Sequence, residues 1–394
     1  MLSVEEAQGL VLAPLAPLGG ETVPLSQALG RVIAEAPCAR TSHPSADVSA
    51  MDGWAVIAAC GVTHTQIGES SAGHPFLGRV GPGQAVRIFT GAVMPEGADS
   101  VAIQEEVTLE GTTIRLSGPV PPGLHVRKEG QDFKTGQSPL AAGKLLSARD
   151  IALLAAMNRP WVTVRRRPRV AVLSTGDELA LPGEPIPAGG LPSSNGLAVA
   201  AMVQSWGADA LDLGLAADDF DSLVAKARAA EGCDLLVTSG GVSVGAYDKV
   251  KESLAHLGFE AGFHKIGMKP GKPLMFGRLG RMPVLGLPGN PVSAMVAATL
   301  FLKPMLRCLL GLEPALPPIL LAQLASPLPA AGGRQEYLRA GLERQADGRL
   351  AALPFKGQDS AMISEMAKAE ALIIRPPKAP AASAGETVPI LLLD

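Results

Sequence analysis

The sequence predicts a multidomain α/β plus β fold: a helical stem interrupted by a β-rich insertion, an open parallel-sheet α/β domain, and a small β-rich C-terminal domain. Three observations point there. Between residues 168 and 312, apolar strand-like runs alternate with helical patterns, the rhythm of βαβ units. Residues 45–140 are instead rich in Gly, Pro, Val and Thr, with short alternating runs between turns. The 394-residue length leaves room for two to four domains of about 100–200 residues each.

The stem is expected over residues 1–44 and 141–166. "SVEEA" opens it as a capping box, Ser3 followed three residues later by Glu6, and residues 1–40 read as helical and amphipathic. "SARDIALLAAMN" returns to helix and packs with them, which makes residues 45–140 an insertion. In that insertion "GQAVRIFTG", "DSVAIQEEVTLEGTTIRLSG" and "GLHVRKEGQDF" supply strands and turns. The α/β domain is expected over 167–312. Its strands are "RVAVLS", "DALDLGL", "DLLVTS" and "MPVLGL"; its helices are "SNGLAVAAMVQSWG" with Asn195 as cap, "DFDSLVAKARAAEG", "YDKVKESLAHLG", and "NPVSAMVAATLFL" with Asn290 as cap and Pro291 in the first turn. After the proline-rich "EPALPP", residues 313–394 carry four strand-like runs, "PPILLAQL", "QEYLRAGLE", "RLAALPF" and "TVPILLL", and one helix, "DSAMISEMAKAE".

Composition excludes several classes. Apolar residues at 47% against 18% charged allow real cores, so the chain is not disordered. A net charge of −3 and 4% aromatics leave nucleic acid without a basic or stacking surface; the one basic run, "RRRPR" (Arg165 to Arg169), reads as a solvated linker leading into a strand. Cys38, Cys60, Cys233 and Cys308 are scattered and form no CxxC pair with clustered histidines, so neither a zinc site nor a disulfide framework is expected, and free thiols suit a reducing cytosol. "MLSVEEAQGL" has no basic region of the secretory kind. "AMVAATLFL" falls short of the ~20 residues of a membrane span. A cytoplasmic protein without a membrane partner is the expectation.

Open parallel sheets bind ligands beyond the carboxyl ends of their strands. Here those ends are "STGDE" with Ser174, Thr175, Gly176 and Glu178, "SGGVSVG" with Ser239, Gly240, Gly241 and Ser243, and "LPGNP" with Pro288, Gly289 and Asn290. Successive backbone N–H groups in such loops form anion nests, and the helices behind them point their positive ends the same way. "KPGK" brackets a turn with Lys269 and Lys272. Any one loop alone is explained as a turn with a helix cap; three at one sheet edge favour a phosphate-rich ligand. The pattern is neither GxGxxG nor GxxxxGK[ST]. Asp177, Glu178, Asp218, Asp219 and Asp248 follow neighbouring strands, and carboxylates facing phosphate are what Mg2+ requires; helix capping is the plain alternative for Asp218, Asp219 and Asp248. The insertion adds Asp52, Thr90, Arg127, Lys128 and Asp132, and the last domain adds Arg334, Arg339, Lys356, Gln358 and Ser360, with hairpin turns as the alternative in both.

"SAMDGWAV", "TGAVMPEGADSVAIQEE", "STGDEL", "TSGGVSVGAYD", "MKPGKPLMFG", "GLPGNPVSA" and "GQDSAMISEMAKAEALI" stand in the order seen in the MoeA family, molybdopterin molybdenumtransferases similar to the E domain of gephyrin. The resemblance spans nearly the whole chain. It implies an elongated stem, an inserted β domain, a molybdopterin-binding α/β domain and a β-barrel-like C-terminal domain, in a homodimer whose cleft is shared between copies. It implies that adenylylated molybdopterin and molybdate are the substrates, that Mg2+ assists cleavage of the adenylate, and that contacts exist with a molybdopterin adenylyltransferase and with recipient molybdoenzymes. By motif position, the family's functional acids fall on Asp52, Asp132, Glu178, Asp218 and Asp248. Its threonine falls on Thr90, its basic residues on Arg127, Lys269 and Lys272, and its nest on Ser239, Gly240, Gly241 and Ser243. Asp218 and Asp248 are then the metal ligands, with "LAADDF" leaving Asp219 open as an alternative to Asp218. Trp54 stands where the family often has tyrosine, and Tyr247 precedes Asp248 rather than following it. Two rival readings are a dimeric scaffold that binds pterin without turnover and a nucleotide pyrophosphatase that shares only the α/β domain.

Overall fold

The computed structural model describes residues 1–240 and 249–393. The chain forms two units: Met1–Glu21 with Arg165–Asp394, and Thr22–Val164. The first helix, α1 (Val4–Leu12), begins at the expected capping box, with Ser3 Oγ accepting from Glu6 N and the Glu6 carboxylate accepting from Ser3 N. It is much shorter than the helical stretch expected over residues 1–40, because Pro14, Pro17 and the Gly19–Gly20 pair interrupt it. Val4, Ala7 and Val11 bury one face of α1 in the larger unit's core.

The smaller unit is mainly β. Its six-stranded sheet is built from β2 (Gly53–Val56), β3 (Thr63–Ser70), β4 (Gln84–Ile88), β5 (Ser100–Ile103), β6 (Val107–Glu110) and β7 (Thr113–Leu116), in the order β5-β2-β4-β3-β7-β6. A two-stranded ribbon pairs β1 (Val48–Ser49) with β8 (Val126–Arg127), and is all that "GLHVRKEGQDF" contributes to strand. Helix α2 (Ala148–Ala156) closes the unit over a core that includes Ile33, Phe133, Leu154 and Val164.

The larger unit holds the α/β sheet. Its elements are β9 (Arg169–Thr175), α3 (Asn195–Ser205), β10 (Asp209–Ala216), α4 (Phe220–Ala229), β11 (Leu235–Ser239), α5 (Lys249–His256), β12 (Phe259–Lys265), β13 (Met268–Lys269), β14 (Pro273–Leu279), β15 (Met282–Leu287), α6 (Pro291–Ala297) and α7 (Lys303–Leu309). Strand order is β10-β9-β11-β15-β14-β12; the first four run parallel and the last two extend the sheet antiparallel. The alternation is strict on β9. Val170 and Val172 face a core shared with α1, α3 and α6, whereas Ala171 and Leu173 face α4 and α5. "RRRPR" is not a solvated linker: Arg166 grips Asp234 through both terminal nitrogens at 2.7 and 2.6 Å, and Arg165 donates to the Leu18 carbonyl. The bidentate pair locks the strand-leading chain beside β11.

The stretch Pro291–Leu309 runs on through a π-helical segment at Ala298–Leu302 and past Pro304, giving 19 helical residues with mean hydropathy 1.5. By length and composition it passes as a membrane span, contrary to the short-run reading, but 78% of it is buried inside the unit, where Val292, Ala297, Phe301 and Met305 belong to the core.

The C-terminal strands are β16 (Ile319–Leu324), β17 (Gln335–Arg344), β18 (Leu350–Pro354), β19 (Ala371–Arg375) and β20 (Thr387–Leu392), with α8 (Ile363–Lys368) between β18 and β19. They close into a five-stranded barrel, β17-β18-β16-β20-β19 and back to β17, with β13 added alongside β17. The closing strand "ALIIR" is fully buried, so its sequence lacks alternation, and the helix preceding it is shorter than "DSAMISEMAKAE" suggested.

Candidate active site

Three loop ends of the larger unit converge at the carboxyl edge of the sheet. β9 brings Ser174 and Thr175, β11 brings Ser239, and the turn after β15 brings Pro288, Gly289 and Asn290. One side chain ties them together. Asn195 Nδ2 donates to Ser239 Oγ at 2.9 Å and to the Gly289 carbonyl at 2.7 Å. The N-cap position of α3 belongs to Ser194, so Asn195 is a cross-link between loops and not the cap its position suggested. Ser239 is buried and its hydroxyl also reaches the Pro288 carbonyl at 3.5 Å. Gly240 sits at φ 91°, and a side chain there would run into the Thr175 carbonyl, so the close approach of β9 and β11 requires glycine.

Ser174, Thr175, Glu178, Ser239, Gly240 and Gly289 line a cavity of about 50 Å3 together with Asn195. Gly176 turns the chain from Thr175 toward the exposed Glu178. Thr175 Oγ1 is buried with no hydrogen-bond partner among the described residues. A buried hydroxyl left without a partner is costly unless a ligand or water completes it. Gly241, Ser243 and Asp248 lie outside the described residues.

The barrel supports this edge from behind. Asn290 holds the N-cap position of α6 without a side-chain cap bond; its Nδ2 donates instead to Ser360 Oγ at 3.0 Å, and the Ser360 carbonyl accepts from Val292 N. The loop carrying Ser360 is held by Arg339, which is 1% exposed and donates Nη2 to the Gly357 and Asp359 carbonyls. Burial lowers the Arg339 guanidinium from its ordinary value. Gln358 answers with its amide, donating to the Arg339 and Phe355 carbonyls. The hairpin reading of Arg339, Gln358 and Ser360 is thereby replaced: they form a polar clamp around the buried Arg339.

The lysines divide. Lys269 reaches Glu336 of the barrel at 3.2 Å, and neither Lys269 nor Lys272 lines the cavity. Their turn lies over the first turn of α6, since a Cβ on Gly271 would stand 3.6 Å from the Ser293 carbonyl. The acids divide too. Asp219 caps α4 by accepting from Ser222 N at 2.8 Å, whereas Asp218 N donates to Asp177 Oδ1 at 2.8 Å, bringing two loops together. Among the described residues no group of three or more His, Cys, Asp or Glu side chains gathers as a metal cluster.

The smaller unit carries a second constellation. Asp52 Oδ1 accepts from Thr90 N at 2.7 Å and from Thr90 Oγ1 at 2.8 Å. Those bonds, first the backbone and then the hydroxyl, hold the Asp52 carboxyl below its ordinary range, with Arg87 adding to the effect. Arg87 itself lies over the Trp54 ring, 4.3 Å from its centroid, and donates to the Gly53 carbonyl. Arg127 and Asp132 line a cleft of about 680 Å3 with Gly91, Ser45 and His43. That volume lies within the range of small-molecule sites.

Family models match along the chain: "MoeA N-terminal region (domain I and II)" over residues 2–158, "Probable molybdopterin binding domain" over 171–308, and "MoeA C-terminal region (domain IV)" over 322–393. A molybdopterin molybdenumtransferase of Haemophilus influenzae is 36% identical over 99% of this chain and 98% of its own. The chain belongs to the MoeA family of molybdopterin molybdenumtransferases. One from Nostoc sp. is 38% identical over 81% of this chain and 76% of its own. The crystal structure of a molybdopterin biosynthesis MoeA protein from Pyrococcus horikosii superposes with TM-score 0.87 at 31% identity, covering 100% of this chain and 99% of that one.

In this MoeA-family transferase of molybdenum cofactor biosynthesis, three contributors escaped the sequence reading. Asn195 reads as a cap from its local sequence because its partners lie 44 and 94 residues away. Glu336 gave no signal of pairing with Lys269. His43 gave none of sharing a cleft with Arg127, though its place next to Pro44 and before "SAMDGWAV" marks it as part of a turn.

Proposed function

We propose that the chain takes adenylylated molybdopterin and molybdate, cleaves the adenylate, releases AMP and leaves molybdenum on the dithiolene of the pterin. The observation that carries this reading is the convergence of the three loops, held by Asn195, beside a Thr175 hydroxyl that has no partner among the described residues. Backbone N–H groups at a helix N-terminus and hydroxyl donors suit a phosphate oxygen, so this edge receives the pyrophosphate of the substrate. Ser174, Thr175, Gly176, Ser239, Gly240, Gly241, Ser243, Pro288, Gly289 and Asn290 then form the binding edge, with Glu178 at its mouth. Lys272 neutralises charge as the anhydride breaks, and Lys269 joins it by leaving Glu336.

The donor chemistry fits a hard cation. Carboxylates after two neighbouring strands, with phosphate oxygens completing the set, match Mg2+. Asp218 and Asp248 would hold it, Asp177 stands beside Asp218, and Asp219 is committed to its cap. Mg2+ supplies charge neutralisation of the pyrophosphate. The smaller unit's cleft is the molybdate side: Arg127 and the Thr90 hydroxyl bind the tetrahedral dianion, Asp52 fixes Thr90, and Asp132 lines the same cleft as Arg127. In this reading the chain has four domains, residues 1–44 with 141–166, 45–140, 167–312 and 313–394. It acts in the cytoplasm as a homodimer with a shared cleft, receiving substrate from a molybdopterin adenylyltransferase and passing product to molybdoenzymes.

The test is AMP release from adenylylated molybdopterin under anaerobic conditions, with Mg2+, with and without molybdate. Release that requires both, and is lost in Asp248→Ala, supports the proposal. Release that ignores molybdate points to a pyrophosphatase, and tight pterin binding with no AMP points to a scaffold. Co-expressed Arg127→Ala and Lys272→Ala chains, each inactive alone, regain activity together if the cleft is shared.

A further inference from the structure

The smaller unit's cleft contains a titratable side chain that no role above uses. His43 lines the same cleft as Arg127 and Asp132. Its position is fixed by the chain on both sides: His43 N donates to the Phe133 carbonyl at 2.8 Å, and Asp132 N donates to the His43 carbonyl at 3.0 Å. Its ring stacks on Phe133, with centroids 5.5 Å apart and planes at 17°. Phe133 is 3% exposed and belongs to the unit's core, so one face of the imidazole rests on a rigid support while the residue as a whole remains exposed to the cleft. An imidazole placed this way costs little further side-chain entropy on engaging a ligand.

We propose that His43 is a further substrate-binding residue of this cleft, donating to the oxyanion beside Arg127 and binding it more strongly when protonated. The inference rests on the reading of this cleft as the molybdate side. The charge arrangement favours it. Arg127 and Asp132 are the charged residues lining the cleft, and they offset each other; neighbouring Lys128 is held by Asp47 at 2.7 Å. With Arg127 and Asp132 as the charged residues of the cleft lining, a doubly charged tetrahedral anion gains a second cation from an imidazolium at His43. Imidazole is the side chain whose charge can change near physiological pH, so a protonated donor here would bind the dianion more strongly than a neutral one.

The experiment measures the molybdate KM and kcat for AMP release in the wild type, His43→Ala, His43→Gln and Arg127→Ala, at about pH 6 and about pH 8. Removing a charge-assisted donor raises the molybdate KM of His43→Ala by about tenfold at the lower pH and by less than about threefold at the higher, with kcat within about twofold. His43→Gln keeps a neutral donor and shows an intermediate KM with the pH dependence gone. A loss of the Phe133 stack alone would change the melting temperature without a pH-dependent KM. If Arg127→Ala raises the molybdate KM and His43→Ala does not, at either pH, the inference is overturned while the cleft assignment stands. If Arg127→Ala itself leaves the molybdate KM unchanged, the cleft assignment falls and takes the inference with it.

Discussion

Asn195→Ala tests how the three loops of the larger unit are held. The amide makes two bonds, to Ser239 Oγ at 2.9 Å and to the Gly289 carbonyl at 2.7 Å, beside the longer 3.5 Å contact of the Ser239 hydroxyl with the Pro288 carbonyl. Each neutral hydrogen bond contributes about 0.5–1.5 kcal/mol net, so truncation removes roughly 1–3 kcal/mol of local order. If the substrate's anionic end binds only the assembled arrangement, that energy appears as a loss of affinity of about 5- to 150-fold, since 1.4 kcal/mol is about tenfold. Global stability falls less, because the bonds lie at the sheet edge and not in the core. Asn195→Asp is the sharper variant. It keeps the shape but places carboxylate oxygen against the Gly289 carbonyl, which has no proton to give; only Ser239 can still donate. It is expected to bind worse than Asn195→Ala, and to worsen further above the carboxylate's titration range. Calorimetric titration with molybdopterin, alongside thermal melting, reads both. Affinities of the two variants within about twofold of wild type would refute the claim that Asn195 assembles the site.

Three further outcomes follow from side chains with distinct duties. Asp219→Ala removes a helix cap and lowers stability by about 1 kcal/mol with AMP release nearly intact, whereas Asp218→Asn lowers AMP release at limiting Mg2+ without shifting the melting temperature; the reverse pattern would exchange their roles. Gly240→Ala forces a side chain onto φ 91° and against the Thr175 carbonyl, costing about 2 kcal/mol or more, read as a drop in melting temperature together with lost pterin binding. Asp150 tests a pH dependence. Burial raises its carboxyl, but bonds from Lys144 at 2.6 Å and from the Ser147 hydroxyl and N–H outweigh that and bring it to about 2. A carboxyl held below its unfolded value stabilises the fold above about pH 4, and this contribution is lost as pH falls toward about 2. Asp150→Asn should cost roughly 1–2 kcal/mol at neutral pH, with the gap in urea midpoint narrowing on acidification; a constant gap would assign the loss to the capping box alone.

What the sequence made legible was whatever its local chemistry dictates. Alternating strands and helices place the carboxyl edge of β9, β11 and β15, and glycine where backbones must approach explains why "STGDE", "SGG" and "LPGNP" stand there. Less legible were elements whose pattern is erased by burial on both sides. "ALIIR" has all five residues buried, so it carries no alternation to mark it as the strand that lies between β17 and β20. "FEAGFHK" and "PLMFGRL" extend the parallel sheet antiparallel, which βαβ rhythm does not announce. The reading of residues 1–40 as helical ends at Pro14 and Pro17, where apolar periodicity continues but the helix cannot.

Side-chain pairing was the least legible level, and it is the level at which the site is built. Arg339 has the composition of a surface residue, yet it is buried because the 357–360 loop offers it carbonyls that need donors. That loop in turn gives Ser360 to Asn290, 70 residues away, and Asn290 follows the Gly289 that Asn195 holds. A barrel with no residue in the cavity's lining is therefore joined to the binding edge through one continuous series of polar contacts. Buried polar networks of this kind stabilise only when every member is satisfied. Arg339 Nε and Thr175 Oγ1 are both buried without partners among the described residues, but they differ in where they stand. The first lies inside the clamp, where its own Nη2 is doubly engaged; the second belongs to a residue that lines the cavity. In the proposed reading, that difference of place separates a cost the fold tolerates from a hydroxyl that a ligand completes.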